Sequence, residues 1–301
     1  MMSLGLARPA QSRGESVCHF LSGANMQEQT LNETLAKVPA ITLGFWLIKI
    51  LATTLGETAG DTVSMSWLGE TTSSATGWGY LIGTGIFLVP LVLLVMAQIK
   101  ASKFHPVLYW ATIIASTTAG TTLADFFTRT LFTKLGQVDQ TTSYLLGSIS
   151  LFACVTATLL IWRLRLGTVD VATVREPRAE WFYWTTITFS QTLGTALGDW
   201  TADSFGDATF LGLDSSYVLG ALVFLAALLI TAALYRFSRV SHVGLFWAAF
   251  ILTRPLGATV GDFLDKPIAK GGLDFPRPVA TLVLLAAIAI CIYLIPQRAG
   301  K

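Results

Sequence analysis

Five acidic residues sit inside stretches otherwise made of apolar, small and hydroxyl side chains: Glu57, Asp61, Asp125, Asp199 and Asp262. Two bases, Lys49 and Arg254, share those stretches. A charge kept from water costs several kcal/mol unless it is paired, hydrated or neutralised, so ionisable groups in such a setting point to function. Carboxylate and hydroxyl oxygens suit hard or borderline ions such as Mn²⁺, Mg²⁺ or Ca²⁺ better than thiophilic metals. Burial also favours the neutral carboxyl, so protons compete for the same oxygens. Set against two bases, the five acids leave three negative charges for a cation or protons. The chemistry expected is exchange of a divalent, manganese-like cation for protons. Lys49 and Arg254 would act as internal counter-ions, and Thr53, Thr117 and Gln191 as neutral polar lining.

The elements that must position these residues form a repeat. Four segments align without a gap: FWLIKILATTLGETAGD (Phe45 to Asp61), YWATIIASTTAGTTLAD (Tyr109 to Asp125), YWTTITFSQTLGTALGD (Tyr183 to Asp199) and FWAAFILTRPLGATVGD (Phe246 to Asp262). An aromatic, a Trp, a Gly, a small residue and an Asp recur in register, the mark of internal duplication. Trp and Asp are fifteen residues apart in every copy. As helix, that is a rise of about 22 Å, which carries the four carboxylates to one depth on four helices. Lys49, Thr53, Glu57 and Asp61 follow at intervals of four and so line one helical face, as do Arg254, Ala258 and Asp262. Pro255 removes a backbone donor beside Arg254 and predicts a kink where the helix lines a cavity.

Each motif precedes a second apolar run, at about 80–98, 143–162, 217–235 and 278–295. The predicted fold is an all-α polytopic membrane protein of eight transmembrane helices, built as four parallel two-helix repeats in a pseudo-fourfold arrangement. Residues 39–297 form the single transmembrane domain, with repeats at about 39–101, 102–166, 177–240 and 241–297. Residues 1–38 read as a disordered cytoplasmic tail, and Met26 is an alternative start. Lys100, Lys103, Arg163, Arg165, Arg175, Arg178, Arg236, Arg239, Arg298 and Lys301 occupy one set of ends. The other set carries Glu70, Asp139, Asp207, Asp214 and Asp274, with Lys134, Lys266, Lys270 and Arg277. The positive-inside rule places both termini in the cytoplasm of a bacterium whose inner membrane holds the chain, and puts Trp46, Trp110, Trp184 and Trp247 at the inner interface.

Composition supports a lipid solvent: 53% of residues are hydrophobic, 13% are charged and the mean hydropathy is +0.62. A net charge of +2 is too small to suggest nucleic acid, so the partners expected are the lipid bilayer and a metal cation, with homo-oligomer formation left open. Cys18, Cys154 and Cys291 are far apart, and His19, His105 and His242 lie outside the motifs, so neither a disulfide framework nor a zinc or copper signature is present. No nucleophile–base pair, phosphate loop or metalloprotease spacing occurs, which argues against an enzyme and a resident cofactor.

A structural role competes with transport. Gly56/Gly60, Gly120/Ala124, Gly194/Gly198 and Gly257/Gly261 are small-xxx-small pairs that bring helices close, and the Asp ring could clasp neighbouring backbone. Asp203 and Asp265 read as solvated helix ends, and Trp67, Trp78 and Trp200 as interfacial anchors.

The segments Lys37 to Asp61 and Phe246 to Leu264 resemble a bacterial family of uncharacterised membrane-anchored repeat proteins, over essentially 38–297. The resemblance implies membrane insertion and repeats, and brings no mechanism. GETAGDT (Gly56 to Thr62) is more weakly similar to the Glu-x-Gly-Asp-Lys/Arg-Thr/Ser motif of the Gdt-type manganese and calcium cation–proton exchangers. It departs from that motif in a Glu four residues before the Asp, where the exchangers have three, and in lacking the following base. The readings carried forward are a secondary transporter, a non-transporting scaffold or partner subunit, and a cation channel with a carboxylate ring.

Overall fold

Helix-start signals stand in front of every motif. Thr42 accepts from the Phe45 backbone N–H and Ser241 from that of Gly244, while Pro106 and Pro177 open their helices where a missing N–H costs nothing. The computed structural model describes residues 37–206, 209–210 and 213–300, so the tail predicted over 1–38 lies almost wholly outside them. Lys37 and Val38, at its end, are buried.

The described residues contain eight long helices: α1 (Leu43–Asp61), α2 (Trp78–Lys100), α3 (Pro106–Asp125), α4 (Gln140–Leu166), α5 (Pro177–Phe205), α6 (Ser216–Phe237), α7 (His242–Asp265) and α8 (Arg277–Leu294). Directly after their aspartates, α1 and α3 run on as π-helix, over Thr62–Trp67 and Phe126–Leu135. A two-residue antiparallel pair, Thr209–Phe210 with Leu213–Asp214, lies between α5 and α6.

The motif helices are the odd-numbered ones. They pack in a closed order, α1 on α3, α3 on α5, α5 on α7 and α7 on α1. Glycine makes each crossing close. A Cβ on Gly60 would lie 2.8 Å from Thr121, one on Gly120 2.9 Å from Gln191, one on Gly198 3.1 Å from Ala258 and one on Gly261 2.7 Å from Glu57. The small-xxx-small reading therefore holds at every junction of the ring.

The even-numbered helices cover the ring, but not as hairpins with their own motif helix. α2 packs chiefly on α3, α4 on α5, α6 on α7, and α8 returns to α1. Each repeat thus lends its second helix to the next repeat, and the short links 101–105, 167–176 and 238–241 join packed partners. No link joins α8 to α1. Backbone hydrogen bonds close that junction, from Ala40 N–H to the Arg298 carbonyl (2.8 Å) and from Gly300 N–H to the Val38 carbonyl (2.7 Å).

Five helices, α2, α4, α6, α7 and α8, are long and apolar enough to cross a membrane. Large apolar side chains such as Leu93, Ile149, Leu229 and Leu282 lie exposed along the covering helices, which is the build of a membrane protein. The remaining motif helices carry charges and many threonines. Those side chains are tolerable because they are covered by protein, and most threonine hydroxyls are satisfied on their own helix. Thr54, Thr118, Thr192 and Thr259 each donate to the carbonyl four residues back.

Candidate functional site

The four-residue spacing stacks the motif side chains in layers. The first is aromatic and closes on itself: Phe45 packs on Trp46, Trp46 on Phe246, Phe246 on Trp247, Trp247 on Tyr183, Tyr183 on Trp184, Trp184 on Tyr109, Tyr109 on Trp110, and Trp110 on Phe45. Tyr109 and Tyr183 share a 2.7 Å hydrogen bond between hydroxyls. Trp110, Trp184 and Trp247 are buried and Trp46 half-buried, so the motif tryptophans, expected at the inner interface, pack into this ring. Trp67 and Trp78 are exposed, as anchors would be.

One turn further come Lys49, Ile113, Ile187 and Phe250, all fully buried. The Lys49 ammonium rests 4.2 Å over the Phe250 ring, and its Nζ has no hydrogen-bond partner among the described residues. The counter-ion role expected of Lys49 is thus not met by a carboxylate. The next layer holds Thr53, Thr117, Gln191 and Arg254, each packed over the motif glycine of a neighbouring helix, in the order Gly257, Gly56, Gly120 and Gly194. Arg254 reaches from here into the following layer. Its Nη2 donates to Glu57 Oε2 at 3.0 Å and to the hydroxyls of Thr121 and Thr195, both at 2.6 Å. Arg254 is therefore the counter-ion of Glu57.

The aspartates form the fourth polar layer, and two cations from the turn beyond divide it. Lys266 Nζ is in ion-pair contact with Asp61, 2.8 Å from Asp262 and 3.7 Å from Asp265. Arg129 lies 2.6 Å from Asp125 and 3.5 Å from Asp199. The five acids do not make one site. Glu57, Asp61 and Asp262 converge, with one oxygen of each within 4.8 Å of the others, while Asp125 and Asp199 form a separate pair on Arg129.

The charge count also changes. Against the same five acids stand four bases, since Arg129 and Lys266 join Lys49 and Arg254, so the surplus falls from three negative charges to one. Lys266, read as a loop cation, is buried within the site. Asp265, read as a solvated helix end, is buried as well and lies 3.4 Å from Arg277. Asp203 is exposed, as expected. The missed signal was within reach: Arg129 and Lys266 stand four residues after Asp125 and Asp262, one turn beyond the aligned window.

The polar atoms left without hydrogen bonds sort by depth. Around the aspartates they are acceptors: Asp61 Oδ1 and Asp125 Oδ2 have no partner, while Asp262 Oδ1 and the two Asp265 oxygens lack hydrogen bonds but are ion-paired to Lys266 and Arg277. Two layers away they are mainly donors: Lys49 Nζ, Arg254 Nε and Nη1, Gln191 Nε2 and the Thr117 hydroxyl, beside the Gln191 carbonyl oxygen. Buried polar atoms left unpaired cost about 1–3 kcal/mol each, and the two ends of the column differ in the kind of partner they lack.

No curated protein and no solved structure matches the chain, and nothing in the comparisons supports the Gdt-type similarity. A family model does match, four times over, at residues 44–104, 108–168, 182–241 and 245–296. These matches follow the aligned motifs and take in most of the sequence, so the chain belongs to the family described as Repeat of Unknown Function (DUF347).

Proposed function

We propose that this protein is a secondary transporter that exchanges a divalent, manganese-like cation for protons at Glu57, Asp61 and Asp262. The observation that carries the reading is the convergence of these three buried carboxylates within 4.8 Å, with an internal ammonium seated on two of them. Lys266 stands where a cation would stand. It lies at the C-terminal end of α7, directly before Pro267, so its side chain can leave toward the aqueous edge when a metal or protons take its place. Asp125 and Asp199 on Arg129 offer a second station in the same layer. The reading takes all eight helices to span a bacterial inner membrane in a pseudo-fourfold bundle, with both termini cytoplasmic. The aromatic ring then shuts the cytoplasmic end, and the aspartate layer faces outward.

A non-transporting scaffold is the second reading, favoured by the fact that all five predicted acids have an internal cationic partner. Proteoliposomes separate the two. Driven by an outward proton gradient, the transporter takes up Mn²⁺ in exchange for luminal protons and alkalinises the lumen, and Asp61→Asn with Asp262→Asn abolishes both signals while the protein stays monodisperse. Absence of wild-type uptake under either gradient polarity refutes the transporter. Uptake that survives the double substitution refutes the site.

A further inference from the structure

The donor-rich layers around Lys49 and Arg254 are not used by cation exchange. Lys49 and Arg254 contribute two positive charges there, and Glu57 answers one of them through Arg254 Nη2. Among the described residues, Lys49 has no carboxylate partner. The opposite edge of the guanidinium, Nε and Nη1, is also without an acceptor, and so are the Gln191 amide N–H₂ and the Thr117 hydroxyl. Phe250, over which the Lys49 ammonium rests, lies one turn before Arg254 on α7. All four side chains are fully buried. Two cations, an amide and a hydroxyl in two adjoining protein-covered layers stand with the neutral Gln191 carbonyl oxygen as their unpaired acceptor, and lack one that carries a negative charge.

We infer that Lys49, Arg254, Gln191 and Thr117 form a binding site for a small monovalent anion of chloride size. One such charge offsets the surplus of these layers. The free Nε/Nη1 edge of Arg254 and the Lys49 ammonium supply charge-assisted hydrogen bonds, and Gln191 and Thr117 supply neutral ones. Ile113, Ile187 and Phe250 share the Lys49 layer and Thr121 and Thr195 lie in the layer beyond Arg254, all buried, so the guest proposed is a small one. The site meets the proposed cation site at Glu57, which accepts from Arg254 Nη2, but does not depend on the aspartate layer binding a metal.

The test is thermal melting of the purified full-length protein in detergent, at fixed sodium and ionic strength, with chloride or bromide replacing gluconate. The wild type should show a saturable rise in melting temperature with chloride and bromide. Lys49→Met should weaken the apparent anion affinity by about ten-fold or more, one lost charge-assisted contact being worth at least 1.4 kcal/mol. Gln191→Glu gives a second arm, because it places a tethered carboxylate among the donors. That variant should be the more stable protein in gluconate and should have lost the chloride response. No anion-specific shift in the wild type overturns the inference, as does a full chloride response in either folded variant. If Lys49→Met does not fold, the Gln191→Glu arm decides. A response to Mn²⁺ lost together with the chloride response would mean that the two guests share one site, which also overturns it.

Discussion

The two halves of the motif column are built from the same four helices and differ in the sign of what they lack. In the half near the aromatic ring, Lys49 and Arg254 face one acid, Glu57, and the unsatisfied atoms are mainly donors. In the aspartate half, Asp61, Asp125, Asp199, Asp262 and Asp265 face Arg129, Lys266 and Arg277, and the acceptors left without a partner are Asp61 Oδ1 and Asp125 Oδ2. With every group ionised, the first half is one positive charge in surplus and the second two negative. The proposed cation site draws on the second half together with Glu57, and the proposed anion site on the first. The repeat supplies the depth of each layer, and the residues that break the repeat supply the charge.

The Arg254–Glu57 pair joins the halves, and breaking it should have the largest effect. Arg254→Met strands a buried carboxylate and should destabilise the protein by about 3–5 kcal/mol. Arg254→Met combined with Glu57→Gln should recover most of that loss in a denaturation series. A double variant as unstable as the single one would show that Arg254 acts by packing over Gly194 and not by charge.

The next effect concerns the ring beneath both halves. A Cβ at Gly257 collides with Thr53, so Gly257→Ala should cost about 1–3 kcal/mol by forcing α7 from α1. Gly85, on the covering helix α2, has nothing within 4 Å of such a Cβ. Gly85→Ala should be neutral or stabilising by up to about 1 kcal/mol, since alanine is the better helix former. Equal costs at the two sites, measured by melting, would dispute the close packing of the motif helices.

The smallest effect lies outside the column. The exposed Asp139 caps α4 through the Thr142 backbone N–H, which holds its carboxyl below the usual carboxylate range. A lowered value in the folded state means that the cap stabilises above the ordinary carboxylate pKa. The contribution is lost as pH falls through the lowered one. Asp139→Asn, compared with the wild type over an acid titration, should reduce the acid sensitivity slightly and leave metal and anion responses unchanged. A change in either response would place Asp139 in the pathway.

Much of this was legible in the sequence because a repeat makes its own alignment. The motif helices, the glycine crossings, the layer of aspartates and the polar face of Lys49, Thr53 and Glu57 follow from spacing alone. Lateral closure does not. The periodicity of one helix shows which face is buried but not by which neighbour, so the lending of each covering helix to the next repeat was hidden. For the same reason the packing of the four motif tryptophans with Phe45, Tyr109, Tyr183 and Phe246 into a closed ring was hidden. Lys266 was misread because it stands between Asp265 and Pro267, a combination that resembles a solvated turn. Arg129 was missed because α3 continues as π-helix beyond the point where the motif ends.

In the proposed transporter, Lys266 holds a place that a divalent cation can take. The most direct measurement is the melting of Lys266→Met as a function of Mn²⁺. Without metal the variant should melt below the wild type, because Asp61 and Asp262 lose their shared partner. Mn²⁺ at about a hundred times its dissociation constant should return roughly 2.7 kcal/mol, at lower metal concentrations than the wild type requires and not when Asp61→Asn is added. A Lys266→Met protein that melts low and gains nothing from Mn²⁺ would show that the ammonium is a structural clasp, and would contradict the account.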